Sequence, residues 1–151
     1  MVTKEILKNK LKDTIRSMRQ EDLVDDHFIF IHSMKDSNGD PFYLVDVIPE
    51  FCLNARDVLK LLIQKMKDPV LDYDLMKEYI FKVKGSALSI GARRMALAFS
   101  KFEGAIKMAS KEECLKALNL ARGEYCALEE KLHVVLQLER SLILLTTQQN
   151  L

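Results

Sequence analysis

Apolar residues recur at every third or fourth position along almost the whole chain, and few residues interrupt them. The 151 residues include only five glycines and three prolines, the residues least compatible with a helix interior. A recurrence of three and four places apolar side chains on one face of an α-helix. Apolar residues make up 48% of the chain and charged residues 30%, which suffices for a core and a polar surface. The sequence therefore predicts an all-α protein with a single domain over residues 1–151.

Capping and turn residues divide the chain into six predicted helices. Thr3 is expected to cap the first helix, and Ser110 forms a capping box with Glu113 at the start of the last. The predicted helices span residues 3–19, 23–35, 40–67, 74–91, 92–108 and 110–145, followed by a frayed tail at 146–151. Pro49 lies inside the third helix and is expected to kink it, unless helical structure begins after the proline.

The lengths of the connections predict how these helices pack. Only a few residues separate most of them, and short connections between long amphipathic helices favour antiparallel neighbours. We therefore expect an antiparallel four-helix bundle over residues 40–145, with the additional N-terminal helices of residues 3–35 packed on one end.

Several classes of protein are excluded by what the sequence lacks. Residues 1–13 are charged throughout, unlike a secretory signal, and no stretch approaches the roughly 20 apolar residues that span a bilayer. Cys52, Cys114 and Cys126 have no CxxC spacing, so we expect free core thiols and neither a disulfide framework nor a structural zinc site. No cofactor is expected, and the cysteine pattern fits a reducing cytoplasmic or nuclear location.

The net charge of +1 conceals two segments of opposite sign. Residues 21–50 contain eight acidic residues and one basic residue, whereas residues 77–101 contain six basic residues and one acidic residue. A solvated helix face would explain the second segment, but this basic patch coincides with a motif that indicates a contact site. The patch is too short, and the chain too nearly neutral, to indicate nucleic-acid binding.

The predicted fourth helix places two large apolar residues on its outer side. Its inner stripe consists of Met76, Ile80, Val83, Ala87 and Ile90. Phe81 lies two residues before Val83, roughly 200° around the helix, and Leu88 follows Phe81 at a spacing of seven. An exposed apolar pair among lysines indicates a contact site, because contiguous exposed apolar area usually serves binding. The open alternative is that the fifth helix or the N-terminal helices cover the pair.

Gly85 is a second unusual feature of this helix. A glycine inside a helix costs about 0.5 to 1 kcal/mol relative to alanine, so its presence needs a reason. Close approach of a partner to the backbone is one explanation. Tight packing against another helix of the same chain is the other.

The segment from Phe81 to Ala92 resembles the signature of plant histidine-containing phosphotransfer proteins. It reads Phe-Lys-Val-Lys-Gly-Ser-Ala-Leu-Ser-Ile-Gly-Ala, against His-Gln-Leu-Lys-Gly-Ser-Ser-x-Ser-Ile-Gly-Ala in that family, whose first residue accepts phosphate. Phe81 replaces the histidine, Lys82 replaces the glutamine, and Leu88 stands where serine is frequent. The similarity extends over nearly the whole chain, at residues 25–28, 124–125, 131–132 and 138–139.

The resemblance implies a docking surface without the relay chemistry. Phosphotransfer needs a ring nitrogen that attacks an aspartyl phosphate, and the phenyl ring of Phe81 has none, so no catalytic residue is expected. The resemblance also implies that Lys84 would neutralise phosphate and that Gly85 would let a receiver domain approach. The basic rim expected around Phe81 consists of Lys77, Lys82, Lys84, Arg93 and Arg94. The predicted partner-binding residues are Lys77, Phe81, Lys82, Lys84, Gly85, Leu88, Phe28 and Ile31.

Three functions compete on these grounds. The leading hypothesis is a pseudo-phosphotransfer protein, a monomer that binds receiver domains of hybrid histidine kinases or response regulators and inhibits a phosphorelay such as cytokinin signalling. The second is an active carrier that uses another histidine, His27 or His32, and the third is an unrelated helical adaptor. No metal site is predicted, because His27 and His32 share no helix face with a carboxylate at the spacing of a zinc helix, and His133 is remote.

Overall fold

The computed structural model describes residues 3–38 and 40–149, which form six α-helices. The helices are α1 (Lys4–Gln20), α2 (Asp26–Asn38), α3 (Tyr43–Lys65), α4 (Tyr73–Ile90), α5 (Arg93–Lys107) and α6 (Lys111–Gln149). No β-strand occurs in the two described ranges, so the all-α prediction is confirmed. Within the same ranges, no helix combines the length and the apolar content that crossing a membrane requires.

Side-chain caps fix the starts of three helices. Thr3, Asp72 and Ser110 each accept a hydrogen bond from the backbone N–H three residues further on, at 3.2, 3.1 and 3.2 Å. Each bond satisfies a donor that the helix itself leaves without a partner. The caps predicted at Thr3 and Ser110 are therefore confirmed, and Asp72 starts α4 one residue earlier than expected.

The connection between α1 and α2 contains two residues that are buried without being helical. Leu23 and Val24, which were expected in the second helix, precede it and lie in the core. Their backbone N–H groups donate to the carbonyl of Met18 at 3.0 and 3.4 Å, which closes the end of α1. As a result α2 begins at Asp26. It continues to Asn38, three residues beyond the predicted end at residue 35, so the turn predicted at residues 36–39 is wrong at residues 36–38. Gly39 lies outside the described residues.

The start of α3 differs from the prediction because Asp40 forms a turn. Its Oδ1 accepts a hydrogen bond from the N–H of Phe42 at 3.0 Å, a contact to the second following residue that is typical of an aspartate turn. The helix begins at Tyr43, before Pro49, which lies inside it. The kink at Pro49 stays a prediction.

Helix α6 is longer than expected. It continues to Gln149, so the frayed tail predicted for residues 146–151 is wrong over its described part. The hydroxyls of Thr146 and Thr147 donate to the carbonyl oxygens four residues before them, at 2.9 Å each. These bonds keep both polar side chains compatible with a helix. Residues 150–151 lie outside the described part of the chain.

Four helices form a bundle, and the two N-terminal helices pack on it. Contacts join α3 to α4, α4 to α5 and α5 to α6, and α6 completes the bundle by contacting α3. The N-terminal helices add α1 against α6 and α2 against α4. All six helices contribute to one apolar core, whose fully buried side chains include Phe28, Ile80, Phe99, Phe102 and Leu132. This arrangement confirms the predicted four-helix bundle with additional N-terminal helices.

A close contact at Gly91 fixes the start of α2 against the end of α4. Gly91 ends α4 in a left-handed conformation, with φ of 77°. Its carbonyl accepts hydrogen bonds from the N–H groups of Asp25 and Arg93, each at 3.0 Å. A Cβ atom at position 91 would lie 2.5 Å from Oδ1 of Asp25 and 2.5 Å from the backbone nitrogen of Phe28. Both the backbone conformation and the available space therefore require glycine.

Candidate functional site

The two faces of α4 differ completely in burial. The residues of the predicted inner stripe, Met76, Ile80, Val83, Ala87 and Ile90, are all buried. On the outer face, Phe81 is 75% exposed and Leu88 is 55% exposed. The prediction that Phe81 points outward is confirmed, and the alternative that other helices cover these two residues is wrong. Their exposure leaves a large apolar side chain available to a partner.

The lysines near Phe81 fall into two groups. Lys77 and Lys82 have exposed side chains. Lys84 instead lies with its Nζ 3.3 Å from Oε1 of Glu103 on α5, and both of these side chains are about one-quarter exposed. Lys84 is therefore already balanced by a carboxylate, whereas the charges of Lys77 and Lys82 are directed to solvent.

A shallow cavity of about 450 Å³ lies beside Phe81. Its lining residues are Asp74, Lys77, Glu78, Phe81, Lys82 and Glu103. The lining combines an aromatic ring with charges of both signs, and the rim predicted to be basic is therefore mixed on this side. Charged groups around an apolar centre are typical of the edge of a protein interface.

The two arginines of the predicted rim also differ. Arg93 is exposed, but Arg94 donates to Glu124 of α6 through Nε at 2.7 Å and through its Nη2 at 3.2 Å. These hydrogen bonds to Glu124 raise the pKa of Arg94 above its ordinary value. Arg94 ties α5 to α6 and is a structural residue rather than a free rim charge.

Gly85 lies on the open side of α4. A Cβ atom built at this position would meet nothing within 4 Å, apart from the helix's own backbone, and the residue is exposed. Tight packing against another helix of the chain therefore does not explain the glycine. Close approach of a partner to the bare backbone stays a prediction.

The partner-binding residues predicted on α2 are wrong. Phe28 is 1% exposed and Ile31 is buried, because both side chains pack into the core. The exposed apolar residues of this helix are Ile29 and Phe30, which the prediction missed. The docking role came from the family resemblance, whereas the spacing of three between Phe28 and Ile31 indicates a stripe that faces the core.

None of the histidines occupies the place of a phosphoacceptor on α4. Nε2 of His27 lies 3.0 Å from the carbonyl oxygen of Ser89, so this nitrogen carries the hydrogen and donates. Ser89 is eight residues after Phe81, which is about 12 Å along a helix. His32 is mostly buried, with Nε2 3.2 Å from Oε1 of the buried Glu139 on α6. The contacts of the two imidazoles join α2 to other helices, His27 to α4 and His32 to α6.

Comparison with known proteins points to one family. No family model matches the sequence. The chain is 28% identical to histidine-containing phosphotransfer protein 2 of rice (Oryza sativa subsp. japonica) over 136 residues, which are 90% of this chain and 91% of the rice protein. It is 27% identical to pseudo histidine-containing phosphotransfer protein 6 of Arabidopsis thaliana over 131 residues, which are 86% of this chain and 84% of that protein.

A solved structure agrees with these relatives. The crystal structure of a histidine-containing phosphotransfer protein from maize matches with a TM-score of 0.86 at 27% identity, over 89% of this chain and 98% of the maize chain. Together, the relatives and this structure support the plant histidine-containing phosphotransfer family for this chain. Because proteins named with and without the prefix "pseudo" occur among the relatives, the finer assignment depends on the residue at position 81.

Proposed function

We propose that this chain is a pseudo histidine phosphotransfer protein, which binds receiver domains without carrying phosphate. One observation carries the proposal: the exposed side chain at the position of the family's phosphate-accepting histidine is that of Phe81. The proposal has two parts, the loss of phosphoryl transfer and the retention of docking.

The loss of transfer follows from the chemistry of the ring. A carrier accepts the phosphoryl group when a nitrogen lone pair of its histidine attacks the aspartyl phosphate of a receiver. The phenyl ring of Phe81 has no such lone pair, so the phosphoryl group stays on the receiver. His27 and His32 do not replace it, because each already uses Nε2 in a contact that holds α2.

The retention of docking is supported by the outer face of α4. Phe81 and Leu88 offer exposed apolar area, and Gly85 leaves the backbone open between them. Lys77 and Lys82 add positive charge at the edge, which suits the acidic active site that the family resemblance assigns to a receiver. A receiver seated on Phe81 would bring its acidic pocket next to these lysines.

The consequence for signalling is competition. A receiver occupied by this chain is not available to an active carrier, so the chain would inhibit a phosphorelay, such as the one in cytokinin signalling. This role needs no second copy of the chain, and we propose that it acts as a monomer in the cytoplasm and the nucleus. The Arabidopsis relative named as a pseudo phosphotransfer protein is consistent with this role.

Two measurements on the purified chain test the proposal. Calorimetric titration with receiver domains of hybrid histidine kinases and response regulators should give micromolar affinity. Incubation with a phosphorylated receiver should leave no acid-labile phosphate on the chain. Acid-labile label on the chain would instead favour an active carrier that uses His27 or His32. Absence of binding to every receiver tested would favour an unrelated helical adaptor.

A further inference from the structure

A second cluster of reactive side chains lies between α3 and α6. Cys52 comes from α3, whereas Glu129 and His133 come from α6, and their ligand atoms all lie within 4.8 Å of one another. The spacing of four residues puts Glu129 and His133 on the same face of the helix. The spacing of the histidines alone could not predict this cluster, because Cys52 is far from the other two residues in the sequence.

Two neighbouring side chains orient the carboxylate of Glu129. Nε of Arg56 donates to Oε2 at 2.7 Å, and the hydroxyl of Tyr125 donates to the same oxygen. Both contacts use Oε2, so neither of them occupies Oε1, the other oxygen of the carboxylate. The hydrogen bond from Arg56 also holds the pKa of Glu129 below its ordinary value, so the carboxylate is charged at neutral pH. Ligating carboxylates in metal sites are commonly oriented by outer partners of this kind.

The other two ligands differ in their access to solvent. Cys52 is buried, and desolvation raises the pKa of its thiol, so a bound metal must displace the thiol proton. His133 is exposed. A cavity of about 180 Å³ adjoins both residues and is also lined by Arg56 and Arg140. This volume is large enough for a metal ion and a water molecule.

We propose that Cys52, Glu129 and His133 form a three-ligand site for Zn²⁺, with water as the fourth ligand. Thiolate sulfur, imidazole nitrogen and carboxylate oxygen are the donors that zinc takes in tetrahedral sites, whereas magnesium and calcium prefer oxygen ligands throughout. The guanidinium groups of Arg56 and Arg140 repel a cation, so the affinity is micromolar rather than that of a permanent structural zinc. The bound ion joins α3 to α6 and stabilises the folded chain.

The test uses Zn²⁺ and Co²⁺ with the purified full chain. Calorimetry should show one Zn²⁺ bound per chain. Co²⁺ should give thiolate charge-transfer absorption, which Cys52→Ala removes and Cys126→Ala retains, since Cys126 is an exposed thiol on the same helix as His133. His133→Gln should weaken Zn²⁺ binding by at least roughly tenfold, because even outer partners of a metal site contribute that much.

The controls separate loss of a ligand from loss of folding. His133 is exposed, so His133→Gln is expected to keep the helical circular dichroism of the parent chain. His27→Gln removes a different exposed histidine and should leave the Zn²⁺ affinity unchanged. Equal affinity in the parent and in His133→Gln, thiolate absorption that persists in Cys52→Ala, or no Zn²⁺ binding by the parent chain would each overturn the proposal.

Discussion

The inner and outer faces of α4 carry apolar residues for different reasons. Ile80 is fully buried in the core, whereas Phe81, its neighbour in sequence, is 75% exposed. The inner residue gains stability by leaving water, and the outer residue gains very little in the isolated chain. Exposed apolar area beside charged residues, as at Phe81, is area that a bound partner would bury. Substitutions on the two faces should therefore separate stability from binding.

The largest expected change is a gain of phosphate acceptance at position 81, on the outer face of α4. Phe81→His supplies a ring nitrogen at an exposed position, so acid-labile phosphate should appear on a chain that otherwise carries none. Label transfer from a phosphorylated receiver measures this. Leu53→His, at an exposed leucine of α3, is the matched control and should remain unlabelled.

A Phe81→His chain that binds receivers but takes no label would show that a neighbouring departure obstructs transfer. The combined change Phe81→His, Lys82→Gln and Leu88→Ser restores the family signature at all three positions. If this triple variant also stays unlabelled, the geometry around position 81 is not that of a carrier.

The second effect concerns the inner face. Ile80→Ala should lower the free energy of unfolding by about 2 to 5 kcal/mol, because it removes buried methyl and methylene groups and leaves a cavity. Phe81→Ala should change it by less than about 0.5 kcal/mol, since the ring is mostly in solvent. Urea denaturation of both variants measures the difference. Similar losses for the two would contradict the assignment of inner and outer faces.

The third effect is on the affinity for a receiver domain when the outer face of α4 is changed. Phe81→Ala should weaken the affinity for a receiver roughly 10- to 30-fold, which corresponds to about 1.4 to 2 kcal/mol, as expected for an aromatic residue at the centre of an interface. Leu53→Ala should leave the affinity unchanged. Calorimetric titration compares them, and an unaltered affinity in Phe81→Ala would place the receiver on a different surface.

The smallest effect is expected from a change at Gly85, which should increase stability and weaken receiver binding. Gly85→Ala should raise the free energy of unfolding by about 0.5 to 1 kcal/mol, because alanine is the better helix former and the added methyl group meets nothing within 4 Å. The same methyl group should weaken receiver binding several-fold by holding the partner off the backbone. A variant that gains stability and keeps its full affinity would remove Gly85 from the docking surface.

Local patterns in the sequence predicted most of the fold. The period of apolar residues predicted all six helices and the inner stripe of α4. The caps at Thr3 and Ser110 were predicted from hydroxyl side chains that accept a hydrogen bond at the start of a helix. The same period placed Phe81 outside the core. Each of these features depends only on residues within one or two helical turns of each other. Such short-range patterns can be read directly from one sequence.

The failures arose where distant parts of the chain meet or where the family resemblance was followed against the helical period. The contact between Lys84 and Glu103 joins two helices, and no local spacing predicts it. Phe28 and Ile31 were assigned to the docking surface through the family resemblance, although their spacing of three is that of a buried helix stripe. The cluster around Cys52 and Glu129 depends on the packing of α3 against α6, which only the folded chain provides.

The left-handed glycine at the end of α4 limits what the signature can reveal about activity. Gly91 holds the start of α2, and Ile90 and Ala92 beside it are buried. A chain that carries no phosphoryl group would still need these three residues in order to fold. Their presence therefore reports the architecture and not phosphoryl transfer, which under the proposed function depends on the side chain at position 81.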